Sequence, residues 1–103
     1  MKDGSGDFSI GSDIWPGISK LIEEAGETLQ ICGKLMATAG REEHWDKTNL
    51  RERLVEELGD LSAAITFVVN VNGMEEDVVK RGQAKLAMFY AWHQAQKQSK
   101  QTG

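Results

Sequence analysis

Apolar residues recur at three- and four-residue steps through most of the chain and nowhere alternate as in a strand, so the pattern predicts helices. In the first, Ile18, Leu21, Ile22, Ala25, Leu29, Cys32 and Met36 form one stripe that ends near Thr38. Ser12 and Asp13 open this helix, Pro16 is expected in its first turn, where no intrahelical donor is lost, and Gly40 closes it. A polar segment, 41–48, follows and carries His44 and Trp45. Asn49 and Glu52 have capping-box spacing at the start of a second helix. Its stripe is Leu50, Leu54, Leu58, Leu61, Ile65, Val68 and Val69, and beyond Leu61 it is apolar nearly all round, the mark of a helix covered from several sides. Asn72-Gly73 ends it, and Asn72 with Glu75 repeats the capping-box spacing for a third helix expected to reach about Lys97.

Helices of about 20 residues each span about 30 Å. Three of them in one copy cover an all-round apolar second helix poorly. The expected fold is therefore all-α, with three long helices per chain forming a bundle completed by oligomerisation. A homo-oligomer follows, with a dimer as the minimal unit and a tetramer as the larger candidate. At 103 residues the chain is expected to be a single domain, with a helical core at about 14–97 and flexible flanks at 1–11 and 98–103.

Charge narrows the partners. Lys and Arg total 12 against 16 Asp and Glu, a net charge of −4, which argues against a nucleic-acid surface. The single cysteine, Cys32, excludes an intramolecular disulfide or a cysteine zinc site, and its place on the first stripe reads as a buried small hydrophobe. The longest apolar run, 61–71, is short of a bilayer span of about 20 residues and contains Ser62 and Asn70. Residues 1–11 are polar and lack a signal-peptide pattern, so the expectation is a soluble, cytoplasmic protein without a membrane partner.

The acids do not fit an ordinary amphipathic pattern. At about 100° per residue, Glu57 shares a line with Ala64 and Val71, and Asp60 shares the next with Phe67. Glu24 aligns with Ile31 and Glu27 lies one turn on, while Glu23 and Glu56 point away. The segments Leu21-Ile22-Glu23-Glu24-Ala25-Gly26-Glu27 and Leu54-Val55-Glu56-Glu57-Leu58-Gly59-Asp60 match at almost every position. Each sets a glycine before its last acid, although glycine costs a helix interior about 1 kcal/mol relative to alanine. Two such helices side by side bring Glu24, Glu27, Glu57 and Asp60 into one cluster, which multivalent cations stabilise. The bland alternative is rim ion pairing, of Glu24 and Glu27 with Lys20 or Lys34 and of Glu57 and Asp60 with Arg53. An oxygen-only donor set selects hard ions, Mg²⁺ or Mn²⁺. The Glu-x-x-His pairs of di-iron bundles do not occur, since His93 follows Tyr90 at that spacing.

At these residues the sequence resembles the MazG-like, all-α nucleoside triphosphate pyrophosphohydrolases, whose hallmark is E-E-x-x-E on one helix and E-x-x-D on the next. Here these read Glu23-Glu24-Ala25-Gly26-Glu27 and Glu57-Leu58-Gly59-Asp60. The resemblance extends over about 14–94 and includes a basic–aromatic third helix with Arg81, Lys85, Leu86, Phe89 and Trp92. A wide interval between the motifs, 40–48, departs from the pattern. The resemblance implies Mg²⁺-dependent hydrolysis of a (deoxy)nucleoside triphosphate between the α- and β-phosphates, giving monophosphate and pyrophosphate. It implies Glu24, Glu27, Glu57 and Asp60 as metal ligands, one of them instead orienting the attacking water.

Substrate-binding candidates come from cations and rings. Arg81 and Lys85 are four apart on one face of the third helix and are placed to neutralise phosphates, with pairing to Asp77 or simple solvation as the alternatives. Lys34 is a weaker phosphate candidate. His44 and Trp45 are candidates to stack on a base, or Trp45 covers the bundle end. Phe89 and Trp92 read as core or interface residues. Two other functions remain open: a non-catalytic helical interaction module with the same fold, and a phosphoribosyl-ATP pyrophosphohydrolase-like enzyme.

Overall fold

The computed structural model describes residues 10–11, 13–43 and 48–102, with side chains as far as residue 100. It contains three helices, α1 (Ile18–Ala37), α2 (Leu50–Val71) and α3 (Glu75–Thr102), and no strand among the described residues. None of the helices is long and apolar enough to cross a membrane. The chain divides into two compact units, Met1–Asn72 and Gly73–Gly103.

In the first unit α1 and α2 form an antiparallel hairpin, fixed at both ends. At the closed end the Asn72 carboxamide donates to the carbonyls of Pro16 (3.0 Å) and Val68 (2.8 Å), joining the start of α1 to the end of α2. This overturns the expected capping role of Asn72 for α3, which begins at Glu75 and extends past Lys97 to Thr102. Pro16 also lies outside α1 rather than in its first turn, because Gly17 (φ 93°) is the N-cap and reverses the chain there. The Gly17 amide donates to the Ile10 carbonyl at 2.8 Å, folding the preceding segment back over the hairpin.

At the other end α1 stops in a Schellman motif, with the Gly40 amide on the Leu35 carbonyl and the Ala39 amide on the Met36 carbonyl. Gly40 takes φ 86°, and Ala39 adopts the left-handed region (φ 56°) where glycine is usual. The connector returns with an isolated antiparallel bridge between Glu43 and Asn49, and the Leu50 amide bonds the Glu42 carbonyl. Leu50, 0% exposed, anchors this turn. The Asn49 side chain accepts the Glu52 amide at 3.0 Å, as its cap position predicts.

The interhelical seam runs through Thr28 and Ile31 of α1 and Leu50, Glu57, Ala64 and Val68 of α2, all buried. The expected apolar stripe of α1 is rotated away from it: Ile22, Leu29 and Met36 are exposed, the last 83%, and Cys32 is exposed rather than buried. Thr28 explains the rotation, since its hydroxyl reaches the carbonyls of Glu24 (2.8 Å) and Glu57 (3.3 Å) and draws that face onto α2. Beyond Leu61, α2 likewise keeps Ile65, Phe67 and Val71 partly open, because α1 covers only the Ala64–Val68 line.

α3 forms the second unit. Glu75, Glu76 and Asp77 in its first turn and Lys100 in its last complement the helix dipole. Val79, Leu86, Phe89, Tyr90 and Trp92 are exposed along it.

A Cβ added at Gly17 meets Phe67 Cδ2 at 2.7 Å and Val68 Cγ2 at 2.9 Å, at a backbone conformation unsuited to a side chain. Gly17→Ala is expected to lower stability by about 1–3 kcal/mol, measured by urea unfolding, through combined overpacking and positive-φ strain.

Candidate metal centre

The paired acids sit where the Thr28 contact forces α1 and α2 together. Glu24 is half-buried, Glu57 is 3% exposed and Asp60 is exposed, and one carboxylate oxygen from each lies within 4.8 Å of the others. A second group with the same spacing, Glu23, Glu24 and Glu27, shares Glu24 with the first. The hairpin thus brings Glu24, Glu57 and Asp60 together from two helices, with Glu27 adjoining on α1.

Two oxygens in this cluster are buried without a hydrogen-bond partner among the described residues, Glu24 Oε2 and Glu57 Oε1. Unpartnered buried carboxylate oxygens are costly, and an oxygen-only set of this kind suits a hard divalent cation. The residues therefore fit Mg²⁺ or Mn²⁺ on the chemistry of their donors.

Local cations satisfy part of the charge. Arg53 Nη2 donates to Glu57 Oε2 at 2.7 Å, and its Nη1 reaches Glu56 at 3.4 Å. Lys20 lies 3.6 Å from Glu23, on the outer side of the cluster. Ion pairing therefore reaches one oxygen of Glu57 and leaves the other unpartnered. Burial raises the proton affinity of Glu57 above the ordinary carboxylate range, reinforced by the neighbouring Glu27 carboxyl and by the charge of Asp60, against the opposing Arg53. Burial also raises that of Glu24, followed by the charges of Glu27, Asp60 and Glu23, with Lys20 opposing.

An open cleft of about 490 Å³ adjoins the cluster. Glu24, Asp60 and Lys20 line its polar end, and Ala63, Ala64 and Phe67 line its apolar end. Neither Lys20 nor Phe67 was a sequence candidate for binding, although the Asp60–Phe67 line on α2 carried the signal.

The remaining candidates are placed differently. Lys34 is exposed near the end of α1. Arg81 is exposed on α3, and the Lys85 ammonium lies 5.9 Å from the ring centroids of both Phe89 and Trp92, whose rings are 5.7 Å apart. A cation held over two aromatic faces is stabilised within α3 itself. His44 and Trp45 lie outside the described residues.

Compared with protein-family models, curated proteins and solved structures, the chain matches none.

Because Glu57 holds its proton more tightly when folded, the metal-free native state binds more protons than the unfolded chain just above the ordinary glutamate range of about 4.3, and its stability falls as pH rises there. Glu57→Gln removes this dependence. In metal-free buffer its melting temperature is expected to gain on wild type as pH is raised from about 4.5 towards neutrality; a constant difference would contradict it.

Proposed function

We propose that this chain is a MazG-like nucleoside triphosphate pyrophosphohydrolase that acts with Mg²⁺, or alternatively Mn²⁺, in the cytoplasm. The observation that carries the reading is the convergence of Glu24, Glu57 and Asp60 within 4.8 Å, with two of their oxygens buried and unpartnered. The order of the motifs, E-E-x-x-E and then E-x-x-D, supplies the reaction class by resemblance.

In this reading Glu24, Glu57 and Asp60 hold the ion. Bound Mg²⁺ supplies charge to the phosphate oxygens and makes a coordinated water more acidic. Glu27, which adjoins the triad on α1, orients the attacking water and accepts its proton. The water oxygen bonds to the α-phosphorus, the bond from that phosphorus to the α,β-bridging oxygen breaks, and pyrophosphate departs. Arg53, bound to Glu57 Oε2, keeps that carboxylate in one orientation. Of the sequence candidates for the polyphosphate, Lys34 belongs to the hairpin that carries the acids, while Arg81 and Lys85 belong to the other unit.

The exposed apolar residues of α1 and α2 support a homo-oligomer, at least a dimer, in which these faces are covered. They also favour the second reading, a helical interaction module whose acids are structural, and in that case Arg53 serves only as the internal counterion of Glu57.

Incubation with each NTP and dNTP plus Mg²⁺ is expected to release pyrophosphate and monophosphate in equal amounts. Asp60→Asn and Glu57→Gln are expected to lower kcat by more than about 100-fold. Millimolar Mg²⁺ should raise the melting temperature of wild type and not of Asp60→Asn, since the ion binds only the folded cluster. Orthophosphate with a diphosphate product would overturn the assigned bond, and neither turnover nor a Mg²⁺ response would leave the interaction module.

A further inference from the structure

The cleft beside the acids has two chemically different ends. Glu24 and Asp60 belong both to its wall and to the acid triad, so a ligand held at the triad extends directly into it. Away from the acids the wall is made by Ala63, Ala64 and Phe67, none of which carries a side-chain hydrogen-bonding group. Their backbone groups are inside α2 and are engaged in its helical ladder. Gly17, against the Phe67 ring, and Ile10 complete the lining, their backbones joined by the 2.8 Å amide–carbonyl bond.

Gly17 is what lets the aromatic ring lie where it does. A side chain there would come within 2.7 Å of Phe67 Cδ2 and 3.1 Å of Cε2, so the ring is braced against bare backbone. A half-exposed ring with two small neighbours and a polar end about two turns of helix away has the form of a site for a flat, uncharged ring attached to an anionic group. The volume of about 490 Å³ is within the range of small-molecule sites.

We propose that this cleft holds the nucleoside part of the substrate, with the base against Phe67 and the phosphates directed towards Glu24 and Asp60. The assignment rests on the reading of the acids as the metal-held phosphate site. It carries a consequence for specificity. A wall of Ala63, Ala64 and Phe67 offers contact area and shape and no hydrogen-bond pattern, so it cannot read the edge of a base. Apolar contact of this kind separates ligands by roughly 10- to 200-fold, whereas a hydrogen-bonding pocket separates them by 10⁴ or more. From the described lining a broad range follows, in which cytosine and uracil nucleotides, equal in size and different in edge chemistry, are turned over with similar kcat/KM.

The test uses the full-length chain and two kinds of probe. Cytidine and adenosine, without phosphates, are titrated while the methyl resonances of Ala63 and Ala64 and the ring resonances of Phe67 are followed by NMR; Mg²⁺ alone is titrated by thermal shift. Nucleosides are expected to move those resonances. Phe67→Leu, which keeps an apolar side chain but loses the ring, is expected to raise KM by about ten-fold for every triphosphate with little change in kcat. Ala63→Leu, at an exposed position that tolerates a larger side chain, should do the same and penalise purines more than pyrimidines. Shifts confined to other residues, or none at the solubility limit, would overturn the proposal, as would a preference above 10⁴ between cytosine and uracil nucleotides. Nucleoside shifts without any Mg²⁺ response would instead overturn the metal reading and leave the cleft standing.

Discussion

The structure turns on a carboxylate in the wrong place. Glu57 is buried at the seam between α1 and α2, at a position where an aliphatic residue would hold the hairpin together at less cost. Arg53 engages one of its oxygens and the other has no partner among the described residues. The helices are nevertheless drawn together at this level, because the Thr28 hydroxyl bridges to the backbone of Glu57 itself. The seam therefore accepts an electrostatic penalty at the point where its geometry is most tightly defined. The proposed metal-binding role would account for this, since functional carboxylates are held against their own repulsion by the surrounding scaffold.

The arrangement inverts the usual logic of an amphipathic hairpin. The face of α1 that meets α2 carries Glu24, Thr28 and Ile31, while the more continuous apolar line of Ile22, Leu29 and Met36 looks outward. The seam thus buries Thr28 and Glu57 among Ile31, Leu50, Ala64 and Val68 while an apolar back stays open. The display is not confined to α1. Val55, Leu58 and Ile65 on α2 and Leu86, Phe89 and Trp92 on α3 are also open in the single chain.

Much of this was legible in the order of residues. The helical class follows from periodicity, and α2 begins at the Asn49 cap because a side-chain acceptor stands there before an apolar run. The acids stood out because Glu57 aligns with Ala64, and Ala64 is buried on the seam as that line requires. What periodicity could not supply was rotation. It identified the most apolar face of α1 as the buried one, and so placed Cys32 and Met36 inside, whereas a single threonine hydroxyl with two carbonyl acceptors selects a different face. Nor could spacing alone decide between two uses of Asn72. The same Asx-to-Glu interval that reads as a cap for α3 belongs to a side chain that turns back to Pro16, a contact between residues far apart in the chain.

That long-range contact has a bearing on the connector between α1 and α2. The relative slide of the two helices is set by Asn72 at one end and by Thr28 near the middle, both away from the turn that links them. Insertions in the turn would then change how far the chain wanders before it returns without changing where the acids meet. Closure entropy grows only logarithmically with loop length, so such insertions are cheap. The connector 38–49 can therefore change in length while the hairpin keeps its register and the acids still meet.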